Sequence, residues 1–144
     1  MKKIIIDDGT REYEIVNKFG KVICKLHFRP GDISITERYR ELQGGFADIV
    51  KPLADMDINA DGTAADDAAI NAIHEADLKL RKAIEQLLDS DDASDVFKNR
   101  NPFSSVGGKF FANIVIDAIG NIVGEVLAEE SEASKKRTEK YIEE

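Results

Sequence analysis

The stretch Val22-Ile23-Cys24-Lys25-Leu26-His27-Phe28-Arg29-Pro30-Gly31-Asp32-Ile33-Ser34-Ile35-Thr36-Glu37 changes its hydrophobic period partway along. Up to Phe28, the side chains of Val22, Cys24, Leu26 and Phe28 share one face and Lys25 and His27 lie on the other, which is the period of two expected of a half-buried strand. Pro30-Gly31 ends that pattern. Beyond it Ile35, Tyr39, Leu42, Phe46, Ile49 and Leu53 recur at steps of four and three, which is the apolar stripe of a helix. Asp32, Ser34 and Thr36 each offer a helix start, and Ser34-x-x-Glu37 matches a capping box. A strand that hands over to a helix in this way places the chain in the α+β class.

Working outward toward residue 1, Arg11–Val16 reads as a strand with Tyr13 and Ile15 on one face, and Asn17-Lys18-Phe19-Gly20 as the turn that joins it to the next. Lys3–Asp7 reads as a further strand, followed by Asp8-Gly9, a dipeptide suited to a tight hairpin. The expectation is a three-stranded antiparallel meander over residues 1–30, then three main helices over residues 32–128 of one α+β domain. Gly44-Gly45 weakens the first helix, by about 1 kcal/mol per glycine, and implies a bend or a close contact there; Pro52 should kink or stop it. The second helix is expected from about Ala64 to Leu88, capped by Thr63, with Ile70, Ile73, Leu80, Ile84 and Leu87 on its inner face. Gly107-Gly108 reads as a hinge before the third helix, Lys109–Ala128. Residues 129–144, mostly Glu and Lys, read as a charged tail or a helical extension.

The third helix is apolar over most of its circumference, with Asn113, Asp117, Asn121 and Gly124 forming one narrow polar strip. So wide an apolar face implies burial on several sides, completed either by the chain's own core or by another subunit or client. Phe110, Phe111, Ile114, Val115, Ile119, Ile122 and Val123 are therefore the candidate self- or client-contact surface.

The chain has 144 residues and a formal charge of −8, but the excess is local: residues 54–98 hold 12 acidic and 4 basic side chains, and the rest is nearly balanced. An acidic centre disfavours nucleic-acid binding, which requires clustered Lys and Arg, and reads as a solvated face or a docking face for a basic partner. There is no run of about 18 uncharged apolar residues, so no membrane span is expected. The apolar part of Met1–Asp8 is too short for a signal peptide. One cysteine, Cys24, excludes an internal disulfide framework and fits a reducing cytoplasm.

Motifs that carry chemistry are sparse. Asp57-Ile58-Asn59-Ala60-Asp61-Gly62 matches the front half of a calcium loop, with Asp57, Asn59 and Asp61 as ligands, but Ala68 stands where a bidentate Glu should close the cage. An acidic loop leading into a helix accounts for the same residues. His74-Glu75 lacks the second histidine of a zinc-protease motif, Leu78 standing in its place. Ser104–Lys109 lacks the spacing of a phosphate loop, and Gly120-x-x-x-Gly124 is a weak helix-pairing signal outside a bilayer. No nucleophile elbow and no Cys/His pair is recognisable. The expectation is a non-enzyme without metal or cofactor.

Phe28-Arg29-Pro30-Gly31-Asp32-Ile33, emerging from strands and leading to Arg38 on a helix, resembles the opening of siphophage tail assembly chaperones. Asp95-Val96-Phe97 and Asn101-Pro102-Phe103, ahead of an apolar last helix, are similar to the downstream part of that family. The resemblance covers about two thirds of the chain, to Leu127, and does not extend to the Asp55–Asp67 loop. It implies a non-catalytic protein of the bacterial host cytoplasm that binds the tape-measure protein or another tail protein, keeps it soluble and assists tail assembly; the wide apolar face of the third helix separately allows a homo-oligomer. The rival expectations are a structural tail or virion component and a small calcium-dependent binding module.

Overall fold

The structure, a computed structural model, describes residues 1–54 and 67–143. Along the chain it contains β1 (Arg11–Val16), β2 (Val22–Phe28), α1 (Ser34–Ala54), α2 (Asp67–Leu88), a 3-10 helix (Ala93–Phe97), β3 (Ser105–Val106), β4 (Lys109–Phe110) and α3 (Phe111–Glu143). The described residues are mostly helical, with two small antiparallel sheets of two strands each.

β1 and β2 pair from Arg11↔Phe28 to Val16↔Val22, with an irregularity between Ile15 and Val16. Their turn is held by Asn17, whose Oδ1 accepts from the amides of Phe19 (2.9 Å) and Lys21 (3.0 Å), and by Gly20 at a φ of 83°. Leu26 and Phe28 are buried on the inner face, where Phe28 meets the Tyr13 ring at 5.2 Å. Each such side chain contributes about 1.5–3 kcal/mol of transfer free energy.

The expected three-stranded meander over residues 1–30 is not formed. Lys3–Asp7 joins no ladder, and Ile4, Ile5 and Ile6 are 89%, 92% and 76% exposed. The cause lies in the turn. Two-residue hairpin turns that match strand twist need a positive φ at their first central residue, or at both. Of Asp8 and Gly9 only Gly9 has one, at 87°, so the pair does not form such a two-residue turn and the chain only bends there. The Asp7 and Asp8 carboxylates also accept from the amides of Gly9 (2.9 Å) and Thr10 (3.0 Å), and such local bonds compete with ladder pairing.

α1 begins on Asp32, not on a Ser34 capping box: the Asp32 Oδ1 accepts from the Ser34 amide at 3.0 Å. Ile35 and Leu42 are buried and Tyr39, Phe46 and Ile49 pack against the core beside them. A side chain at Gly44 or Gly45 would meet nothing within 4 Å, so no close contact explains this glycine pair. α1 lies against α2, whose buried side chains are Ala69, Ala76, Leu80, Ile84, Leu87 and Leu88. The expected inner residue Ile70 is 55% exposed; the face is turned toward Ala69 at that end.

Gly107-Gly108 is the turn of a short β3–β4 hairpin, not a hinge, with positive φ at both residues, 58° and 82°. α3 then starts at Phe111, its first amides donating to Ser104 O (2.8 Å from Phe111 N) and Pro102 O (2.7 Å from Ala112 N). One buried cluster runs from Leu26 and Phe28 through Ile35, Leu42, Leu80, Ile84 and Phe97 to Ala112, Ile119 and Val123. Among the described residues no polar or charged side chain is buried and no buried side-chain nitrogen or oxygen lacks a partner.

Candidate functional site

The seven apolar residues expected at a contact surface divide by depth. Val115, Ile119 and Val123 lie at 3–5% exposure in the core. Phe111 and Ile122 pack on its edge, Phe110 sits half-buried in β4 with its ring edge-on to Phe103 at 5.4 Å, and Ile114 faces outward. One stripe of α3, Ala112, Val115, Ile116, Ile119, Val123 and Val126, is thus taken up by the chain's own core. By length and composition Phe111–Thr138 is apolar enough to cross a membrane, with a third of its most apolar window buried; Asp117 and Glu125 interrupt its apolar part, and Glu129, Glu130, Glu132, Lys135, Lys136 and Arg137 follow toward Thr138.

What α3 leaves open lies on its side toward α1. Between the two helices is a hollow of about 160 Å3, with Tyr39, Leu42, Gln43 and Phe46 on one wall and Asn113, Ile116 and Asp117 on the other. Its floor is apolar and aromatic; Gln43, Asn113 and Asp117 supply the polar groups. The helices meet closely just beyond it: a Cβ at Gly120 would lie 2.5 Å from the Tyr39 hydroxyl oxygen and 2.9 Å from Cζ, and that hydroxyl donates weakly to Ile116 O at 3.4 Å. Burial pushes the Tyr39 phenol up, and Asp117 adds to the shift, so the ring stays neutral and available as a donor.

A second hollow, of about 420 Å3, is bounded by Asp7–Arg11, Arg29, Gly31, Asp32, Val126 and Glu130. Both of its arginines are engaged: Arg11 with Glu130 at 3.8 Å, and Arg29 with Asp89 at 2.9 Å and Asp32 at 3.6 Å. It presents no uncommitted cation to an anionic ligand.

One cluster of titratable groups escaped the reading by spacing. His27 stands between two carboxylates, its Nδ1 2.9 Å from Asp92 Oδ2 and its Nε2 2.8 Å from Glu12 Oε2. Glu12 is its cross-strand neighbour, so the hairpin register held half of this signal; Asp92, 65 residues away, comes from the approach to the 3-10 helix. The hydrogen bonds to Asp92, then Glu12, raise the His27 pKa above its ordinary 6.5. Burial alone would push Asp92 up, but bonds from Ser90 and His27 outweigh it and hold its carboxyl below the ordinary range. His27 therefore links β1, β2 and the 3-10 segment as a cation. Because its folded pKa is raised, this linkage stabilises fully below pH 6.5 and is lost as pH rises through the raised value. The expected result is that His27→Gln lowers the urea midpoint at pH 6 and has little effect at pH 9. Equal effects at both pH values would show that the imidazole acts only by packing.

Among the described residues no group of three or more His, Cys, Asp or Glu is arranged to hold a metal ion. The calcium-loop residues Asp57, Asn59 and Asp61, and the expected cap Thr63, lie outside the described residues. Comparison with family models, with curated proteins and with solved structures finds no match to this chain.

Proposed function

We propose that this chain is a non-catalytic tail assembly chaperone that binds an amphipathic segment of the tape-measure protein in the hollow between α1 and α3. The observation that carries the reading is that hollow: an apolar floor of Leu42, Phe46 and Ile116, with Gln43, Asn113 and Asp117 beside it. Helix-in-groove recognition uses this composition, an apolar anchor from the client entering the floor while polar groups fix its direction. The acidic middle of the chain keeps such a complex soluble. The resemblance carried by Phe28–Ile33, Arg38 and Asp95–Phe103 supplies the class of client.

Two measurements test the reading. A long tape-measure frame should lie immediately downstream of this one in the genome. Co-expression with that frame's product should raise its soluble yield several-fold, and Gln43→Arg combined with Phe46→Ala should abolish the gain while the far-ultraviolet circular dichroism stays that of the parent. Absence of such a neighbour, or a soluble yield indifferent to the chain, ends the proposal.

A further inference from the structure

The geometry points to a reciprocal exchange of strands between two copies of this chain, in which Lys3–Asp7 of one copy pairs antiparallel along the outer edge of β1 in the other. Three observations lead there, none of which rests on the chaperone reading. First, β1 pairs on one side only: its sheet has the order β1–β2, and no described backbone group bonds to its other edge. Such an edge is a template for a further strand. Second, the same molecule holds an unpaired segment of matching length, Ile4, Ile5 and Ile6, with 76–92% of their surface in water. Third, the link between the two is not closed as a hairpin within one copy: Asp8-Gly9 carries its positive φ at the second residue alone, and the Asp7 and Asp8 carboxylates accept from the Gly9 and Thr10 amides in place of a ladder.

Composition selects the occupant. In the antiparallel register that a hairpin would have used, Lys3 lies opposite Glu14, Ile4 opposite Tyr13 and Ile6 opposite Arg11. Ile4 then extends the half-buried face of Tyr13 and Ile15, while Lys3 meets the carboxylate of Glu14, an opposite-charge cross-strand pair. The pleat alternation fixes this register against a one-residue slip, which would bring Lys3 onto the apolar face. Each copy carries one free β1 edge and one free strand, so two copies satisfy each other reciprocally under a twofold axis.

Chromatography with light scattering on the full chain should give twice the 16.0 kDa mass, falling to the single mass in Ile4→Asp/Ile6→Asp with unchanged circular dichroism. Trapping identifies the contact independently. In a Cys24→Ser background, a Lys3→Cys chain mixed with a Glu14→Cys chain should form a disulfide-linked heterodimer under mild oxidation. A monomer at every concentration overturns the proposal. So does a dimer untouched by the isoleucine substitutions, failure to form the heterodimer, or a cross-link that forms only within one chain when both cysteines share it.

Discussion

Replacing Phe97 by alanine is expected to cost about 3–5 kcal/mol, the range for truncating a fully buried aromatic side chain. Phe97 has 0% of its surface exposed and closes the 3-10 helix onto α2 and α3 at once. Its ring stands edge-on to Phe111 at the start of α3, centroids 5.9 Å apart and planes at 90°. The Arg81 guanidinium of α2 lies 5.9 Å from the ring centre, while its Nη2 donates to the Phe97 carbonyl at 2.6 Å and its Nε to Asp77 at 2.7 Å. The cavity left by the ring cannot collapse without moving α2 or α3, which sets the cost at the upper end. Domains of this size are stable by about 5–15 kcal/mol, so the variant should lose on the order of 10 °C in Tm. Phe103→Ala, at a half-buried ring, is the control and should lose clearly less. Equal losses would mean that the 3-10 helix is not a keystone.

The parts of this fold that were legible in the sequence are those where period and burial coincide. Cys24, Leu26 and Phe28 against Lys25 and His27, and Ile35 through Ile49 on α1, each carry one unbroken period and each sits where that period places it. Ile4-Ile5-Ile6 carries strand composition without alternation, and strand composition alone does not make a ladder when the turn beside it has the wrong handedness. The sign of φ at Asp8 is not written in the dipeptide Asp-Gly. α3 shows a different loss of information. Its wide apolar face implied burial on several sides, but the buried side chains Ala112, Val115, Ile116, Ile119, Val123 and Val126 form one stripe against the chain's own core, while Ile114 and Ala118 on the far side stay exposed. Periodicity says neither how much of such a face is buried nor whose atoms bury it. The candidate groove was invisible for a related reason: Ile116 and Phe46 become neighbours only through the approach of α1 to α3, with Gly120 admitting Tyr39. The Glu12 side of the His27 cluster was readable from the β1–β2 register; the Asp92 side was not.

Arg38→Ala is expected to cost about 1–3 kcal/mol, the range for leaving hydrogen-bonding groups without their partner, and Arg38→Lys should restore little of it. From α1, Arg38 donates Nε–H to the Leu87 carbonyl at 2.9 Å, a carbonyl of the last turn of α2, and Nη2–H to Asp32 at 3.3 Å. A lysine is a single compact cation on a flexible stem and cannot reproduce a planar fork spanning two acceptors. Asp32 in turn accepts from the Ser34 amide and lies 3.6 Å from Arg29, which reaches Asp89 just past α2. Phe28 and Pro30 flank Arg29 and are buried, and Val126 and Glu130 of α3 lie in ordinary van der Waals range, 3.7–3.8 Å, of where a Cβ on Gly31 would be. The Ser34 amide, against opposing burial and aided by Arg38, holds the Asp32 carboxyl below its ordinary 3.8. A depressed carboxylate stabilises the fold above its unfolded pKa and loses that contribution as pH falls through the folded value. Arg38→Ala should therefore both lower the urea midpoint at pH 7 and flatten its decline between pH 5 and pH 3. An unchanged midpoint would mean that the junction is held by Phe28 and Pro30 packing alone. Phe28, Pro30, Gly31, Asp32 and Arg38 thus join the β1–β2 sheet, α1, α2 and α3, so variants at Phe28, Pro30, Asp32 and Arg38 should fail by unfolding, while variants at Gln43 and Phe46 test the proposed client contact.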